Sequence, residues 1–318
     1  MSVAEFRTPE VTDTPDTVPA EANAPQAPAE ARRRPIEPGT RLWDEIGLVT
    51  FSLTGGTAFL LQTMEPTIGT VVGEHSTFRT DAVGRATRSL ASVMTWVYGG
   101  DEALVEADRL RKMHATLNST DENGVRHKAL SSGPWAWVML TGAYAFIEGA
   151  RYFAKRPFTD QEKEDYYAET LQIWRNLYVA EKEIPKTYAE FEVKFEQLVK
   201  ERLVAHPTAY DFLKSIAVIP PPPKLPRVFR PAWRTITRPV GKLQHFVTVG
   251  TTPQHARDLL GLEWTEADER KLVRIGWVVA RVTPLLPERI RYLPIAYEAR
   301  VLERNKQRVR KLLDNRPM

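Results

Sequence analysis

Six histidines and no cysteine set the chemistry open to this chain. Without a thiol there is no disulfide, no thiolate ligand and no cysteine nucleophile, so any metal must be held by His, Asp or Glu. His114 has the most informative setting. Ala103, Ala107, Leu110, His114 and Leu117 follow at steps of four, three, four and three, the repeat of one helical face, and the imidazole is expected to point inward with that apolar stripe. A buried neutral imidazole can bind iron through one ring nitrogen while a backbone carbonyl or a carboxylate fixes the other. A core histidine with a satisfied hydrogen bond fits the same spacing. A second stripe joins Arg85, Ser89, Ser92 and Trp96 at steps of four, three and four. Lining a cavity, it would offer a fork of donors to a carboxylate or a bound oxygen species, with a hydroxyl alongside; facing water, it would be an ordinary solvated face. Glu65, between an apolar segment and Pro66, is a candidate acid or base if partly desolvated. His75, ahead of Ser76 in an expected loop, is a candidate for substrate binding, for a local hydrogen bond or for plain exposure.

Helices must position these groups, and the punctuation for helices runs through the whole body. Asp81 is expected to cap a helix ending at Tyr98, and Gly99-Gly100-Asp101 to close it and open the next, Glu102 to Leu117. Thr159 with Glu162 and Thr187 with Glu190 have capping-box spacing, and Thr265 with Asp268 a weaker form of it. Pro134 fits the first turn of an aromatic-rich helix, Trp135 to Phe153, whose apolar residues on all sides imply burial on several. The uncharged stretch Ile46 to Met64 approaches bilayer-spanning length. It holds Ser52, Gln62, four threonines and Gly55-Gly56, so a buried core helix is expected instead of a membrane span. Pro220 to Pro223 breaks the pattern and is expected to start an extended connector reaching about residue 226, with two or three helices after it. Alternating Val/Ile/Thr runs are scarce. The expected class is all-α, one multi-helix domain over residues 39–318 behind a disordered Ala/Pro/Glu-rich tail at 1–38.

Composition agrees with a globular body: 318 residues, 42% of them apolar, suffice for a substantial core. The net charge of +4 comes from 44 basic and 40 acidic residues scattered together, which is no nucleic-acid footprint. The opening MSVAEFRTPEVTDTP carries acids and prolines where a secretory signal needs a basic patch and an apolar core, so a cytoplasmic protein is expected. Homo-oligomerisation is left open.

Five short motifs occur in one order: Leu61-Gln62 with Pro66; Val71 through His75-Ser76 and Phe78-Arg79 to Asp81; Gly84-Arg85 with Arg88-Ser89; Arg111 with Met113-His114; and Trp135 to Val138. This ordered set resembles the catalytic domain shared by the rubber oxygenases (latex clearing proteins) and the MpaB-type oxygenases. The stretch Thr248 to Trp264, with Arg257 to Leu262, resembles it too, so the likeness spans about residues 40–305. The resemblance implies an all-helical fold with globin-like core helices around a pocket for haem b, whose iron is held by the histidine that falls on His114. It implies that Arg85 and Ser89 line the distal side of the pocket. In some relatives the residue just before that hydroxyl is a lysine able to reach the iron; here it is Arg88, whose guanidinium stays protonated and is a poor ligand. Many relatives have histidine where this chain has Glu65, and threonine where it has Ser89. His75 and Trp137 complete the candidate cofactor contacts. The expected function is a haem b-dependent oxygenase that acts on a small apolar metabolite with molecular oxygen or peroxide. The rivals are a haem-dependent dehydrogenase or peroxidase-like oxidase, a non-catalytic haem or lipophilic-ligand binder, and a helical interaction module without a cofactor.

Overall fold

The computed structural model describes residues 32–314. The tail expected at 1–38 therefore lies outside the described residues as far as 31, but its last residues lie against the helical body. Ile36 is buried in the core, and Arg33 forms an ion pair with Asp108 at 2.9 Å.

Each helix starts where a side chain can satisfy free backbone donors. Thr40 caps α1, Arg41–Glu45. α2, Phe51–Met64, begins later than its uncharged sequence suggests, because residues 47–49 pair with another part of the chain. The Leu293 N–H donates to the Gly47 carbonyl at 2.8 Å and the Val49 N–H to that of Arg291 at 2.9 Å, which takes this segment out of the helix. Glu65 caps α3, Pro66–His75, so His75 ends a helix where a loop was expected, and Asp81 caps α4, Ala82–Tyr98, as its spacing predicts. α5, Glu102–Ala115, stops two residues short of the expected Leu117, whose carbonyl instead accepts from the Ala129 N–H. A small antiparallel hairpin follows, β1 Asn118–Thr120 with β2 Arg126–Lys128, which pairs Ser119 with His127. Its turn is local chemistry. The Asp121 carboxylate accepts from the Asn123 and Val125 N–H groups, and Gly124 supplies a φ of +77°.

α6, Ser132–Phe153, holds Pro134 in its first turn and packs against α2 and against α7, Asp160–Asn176. Thr159 and Glu162 form the complete capping box ahead of α7. α8, Tyr188–Arg202, has half of one: Thr187 accepts from the Glu190 N–H, while the Glu190 carboxylate accepts from Lys186 and not from Thr187. After α9, Pro207–Ala217, the proline segment crosses without helix to α10, Arg230–Gly250. The remaining helices are α11 Gln254–Leu259, α12 Glu266–Val282, α13 Glu288–Arg291 and α14 Pro294–Asp314. Thr265 and Asp268 complete a capping box at α12 that the sequence presented as the weaker case.

The core is centred on α2 and α6. Leu60, Leu61 and Met64 of α2 are fully buried, each contributing roughly 1.5–3 kcal/mol by leaving water. Among the described residues no helix is long and apolar enough to cross a membrane. The architecture is all-α, with one small hairpin as its only sheet among the described residues.

Candidate functional site

α4 and α5 lie side by side, and the inward stripe of α5 is as its spacing requires: Ala103, Ala107 and Leu110 are buried. Two of the three are alanines, which allows close approach of the helices. Across this seam the Ser92 hydroxyl donates to the Glu106 carboxylate at 2.6 Å. One turn past Leu110, His114 continues the stripe and is half-buried. Its Nδ1–H donates to the Leu110 carbonyl at 2.8 Å, which leaves Nε2 as the nitrogen with a free lone pair. The edge of Trp135, at the start of α6, meets the ring at 5.1 Å between centroids. Burial, then the cations Arg85 and Arg109, hold the imidazole pKa below its ordinary value against the opposing Leu110 hydrogen bond, so His114 is neutral at neutral pH.

Arg85 leaves the first turn of α4. Its guanidinium lies 4.2 Å over the Phe59 ring of α2 and donates to the Ser89 hydroxyl one turn along. Phe59 in turn meets Phe212 at 4.7 Å and Phe78 at 5.9 Å, an aromatic wall that withholds water from the cation. Burial, with the nearby charge of Arg88, lowers the Arg85 pKa to about 10, which still leaves it charged at neutral pH. No carboxylate forms an ion pair with it among the described residues. A desolvated cation without a counter-ion is costly, and an anion from outside the chain would offset that cost.

The other sequence candidates are not brought to this place. Arg88 points outward and donates to Thr77 at 2.9 Å and Asp81 at 3.3 Å. His75 is exposed at the end of α3, with its Nε2 bonded to the Asn118 carbonyl at 3.0 Å. Glu65 is buried as a helix cap, accepting from the Ile68 N–H at 2.9 Å; burial raises its pKa, against that hydrogen bond and the charge of Arg202. Trp137 donates to the Leu61 carbonyl at 3.0 Å and stacks on Phe195, so within the Trp135 to Val138 motif it is Trp135 that meets His114. Two residues on a helix face nearly opposite ways, which explains the difference. Phe59 was missed altogether, since one aromatic in an uncharged run carries no local sign of a cation above it. A cavity of about 200 Å³ bounded by Tyr144, Glu148, Tyr152, Arg257 and Glu269 involves none of these candidates.

The donor set does not suit a bare ion. Among the described residues no group of three or more His, Asp or Glu could hold a metal, and one imidazole cannot chelate an ion alone. A porphyrin brings four nitrogens of its own and asks the protein for one neutral axial histidine, the state in which His114 is held. The indole N–H of Trp96, last of the Arg85 stripe, is buried with no acceptor.

The family described as ER-bound oxygenase mpaB/B'/Rubber oxygenase, catalytic domain, matches residues 43–281, about three quarters of the chain. No curated protein and no solved structure matches it. The matched span includes every residue described above, from Phe59 to Glu269.

Proposed function

The chain belongs to the family of MpaB-type and rubber-oxygenase catalytic domains, and from that membership we propose that it is a haem b-dependent oxygenase of a small apolar metabolite, with His114 as the iron ligand. The observation that carries this reading is the pairing of a neutral, Nδ1-anchored His114 with a charged Arg85 that has no internal counter-ion.

The hydrogen bond from Nδ1 to the Leu110 carbonyl fixes both the tautomer and the ring plane, and presents Nε2 to a metal. When bound, haem b supplies the electron transfer that molecular oxygen or peroxide requires. Arg85 holds positive charge where an anionic oxygen species or a cofactor carboxylate would enter, and its donors need no reorganisation because Ser89 and the Phe59 ring already fix the guanidinium. Phe59, Phe78 and Phe212 keep bulk water from that cation and favour an apolar substrate.

The test is spectroscopic. Full-length protein produced with iron and a haem precursor should show a Soret band that shifts on reduction with dithionite, and His114→Ala should lose both the band and the bound iron. Under ¹⁸O₂ the product of an active substrate should carry the label. A colourless wild-type protein, or a His114→Ala protein with an unchanged band, would reject the assignment. Turnover without label would leave the haem and replace oxygenation by dehydrogenation.

A further inference from the structure

Four helices meet around the cavity of about 200 Å³, which involves none of the residues assigned to the haem. α6 lines it with Tyr144, Glu148, Arg151 and Tyr152, which the helical repeat puts on one face. Gly250 ends α10, Arg257 lies on α11, and Glu269 sits in the first turn of α12. Arg257 belongs to the Thr248 to Trp264 motif, for which the iron site has no use.

Two opposite charges are fixed at this cavity without pairing with each other. The Arg257 guanidinium is anchored at the C-terminal end of α10, where its Nη1 donates to the Gly250 carbonyl at 3.3 Å and to that of Thr252. Its Nε and Nη2 make no hydrogen bond, and its charge no ion pair, among the described residues. The Glu269 carboxylate is held by neutral donors, the Tyr152 hydroxyl at 2.8 Å and the Trp264 indole N–H at 3.0 Å, and it too lacks an ion pair among the described residues. Trp264 touches both charges, since its ring lies 5.8 Å from the Arg257 guanidinium. The ring packs on Gly250, where a Cβ would overlap it. Glu148 adds a second carboxylate, only 16% exposed, whose one hydrogen bond among the described residues is to Arg151 at 3.0 Å. Burial raises the Glu148 pKa against the charge of Arg151, and the charge of Glu269 raises it further.

We propose that this cavity binds a small zwitterion, an ammonium carboxylate of the amino-acid class, with its carboxylate on Arg257 and its ammonium shared by Glu148 and Glu269. A guanidinium with two unused donor nitrogens matches a carboxylate, and two carboxylates that repel each other favour a cation. A lone anion would gain Arg257 but face both glutamates, and a lone cation would gain the glutamates but face Arg257. A bare metal ion finds no group of three or more His, Asp or Glu among the described residues. The size suits a ligand of few atoms, since sites for drug-sized molecules run to roughly 300–1,000 Å³.

Isothermal titration calorimetry of the full chain at neutral pH tests this with glycine, β-alanine and γ-aminobutyrate, whose two charges stand progressively further apart. Acetate and methylammonium supply each charge alone. At least one zwitterion should bind about ten-fold or more tighter than either single-charge probe. Glu148→Gln should weaken that binding about ten-fold, and it keeps the fold because it gives up only a bond to the largely exposed Arg151. Arg257→Gln should abolish binding. Because that change also removes an anchor of α10, the wild-type protein supplies a second reading: the Trp264 indole N–H resonance, assigned with Trp264→Phe, should shift as the zwitterion is added. The proposal is overturned if no zwitterion binds, if acetate or methylammonium binds as tightly as the best of them, if Glu148→Gln leaves binding unchanged, or if the Trp264 resonance stays in place.

Discussion

The charge of Arg85 on α4 acts on the imidazole of His114 on α5 and, with burial as the larger cause, holds its pKa below the ordinary value. Replacing Arg85 by Gln should therefore raise the His114 pKa without restoring its ordinary value, because burial is the larger cause. Arg88→Gln serves as control, since that guanidinium is engaged with Asp81 and Thr77 and is no part of the His114 shift. Nuclear magnetic resonance titration of the histidine Cε1 protons reads both, and an unmoved His114 in the Arg85 variant would separate the two groups.

Acid should weaken the fold earlier than its carboxylates alone would. His114, His206 and His245 are all held below the ordinary 6.5 by burial, so the unfolded chain binds protons that the folded chain refuses. Their contribution is fully present above the unfolded value and declines as the pH falls through 6.5 toward the folded values. Glu65, Glu148 and Glu169 run the other way, with raised folded values whose contribution is present below 4.5 and lost as the pH rises through the folded pKa. Thermal melts between about pH 7.5 and 6 should show the histidine loss, reduced in His245→Gln, whose shift comes from burial alone.

Glu65 separates a structural role from a catalytic one. Its carboxylate caps α3, so Glu65→Ala should cost about 1–2 kcal/mol in denaturant unfolding. Glu65→Gln keeps an acceptor oxygen and should recover most of that stability. If Glu65 acts only as a cap, the amide variant also keeps the activity; an inactive but stable Glu65→Gln would return it to the list of proton carriers.

Gly276 permits the contact of α12 with α6. A Cβ there would overlap the Tyr152 carbonyl oxygen, and backbone cannot rotate away as a side chain can. Gly276→Ala should destabilise by about 1–3 kcal/mol despite its better helix propensity. Gly55→Ala on α2, where a Cβ meets nothing, should not destabilise in the same unfolding measurement.

Much of the fold was legible because its signals are short-range. A cap needs only a residue and the N–H two or three positions on, which is why Asp81, Thr159 and Thr265 mark helix starts correctly. The Asp121 to Gly124 turn was equally local and was overlooked, and the hairpin with it. The start of α2 at Phe51 was not legible, because the strand-like pairing of Gly47 and Val49 with residues 291 and 293 depends on contacts about 240 positions away.

The sequence by itself determined the helical class, the family-level motifs and the inward phase of His114, since periodicity and capping are properties of a single segment. Only the tertiary structure decided which of the candidate side chains meet. It set Arg85 over Phe59, turned Arg88 and His75 outward, made Glu65 a cap, and gave the place beside the imidazole to Trp135 and not Trp137. The physical reason is that a helix fixes the direction of its own side chains, while what lies opposite them depends on how other helices pack across the core.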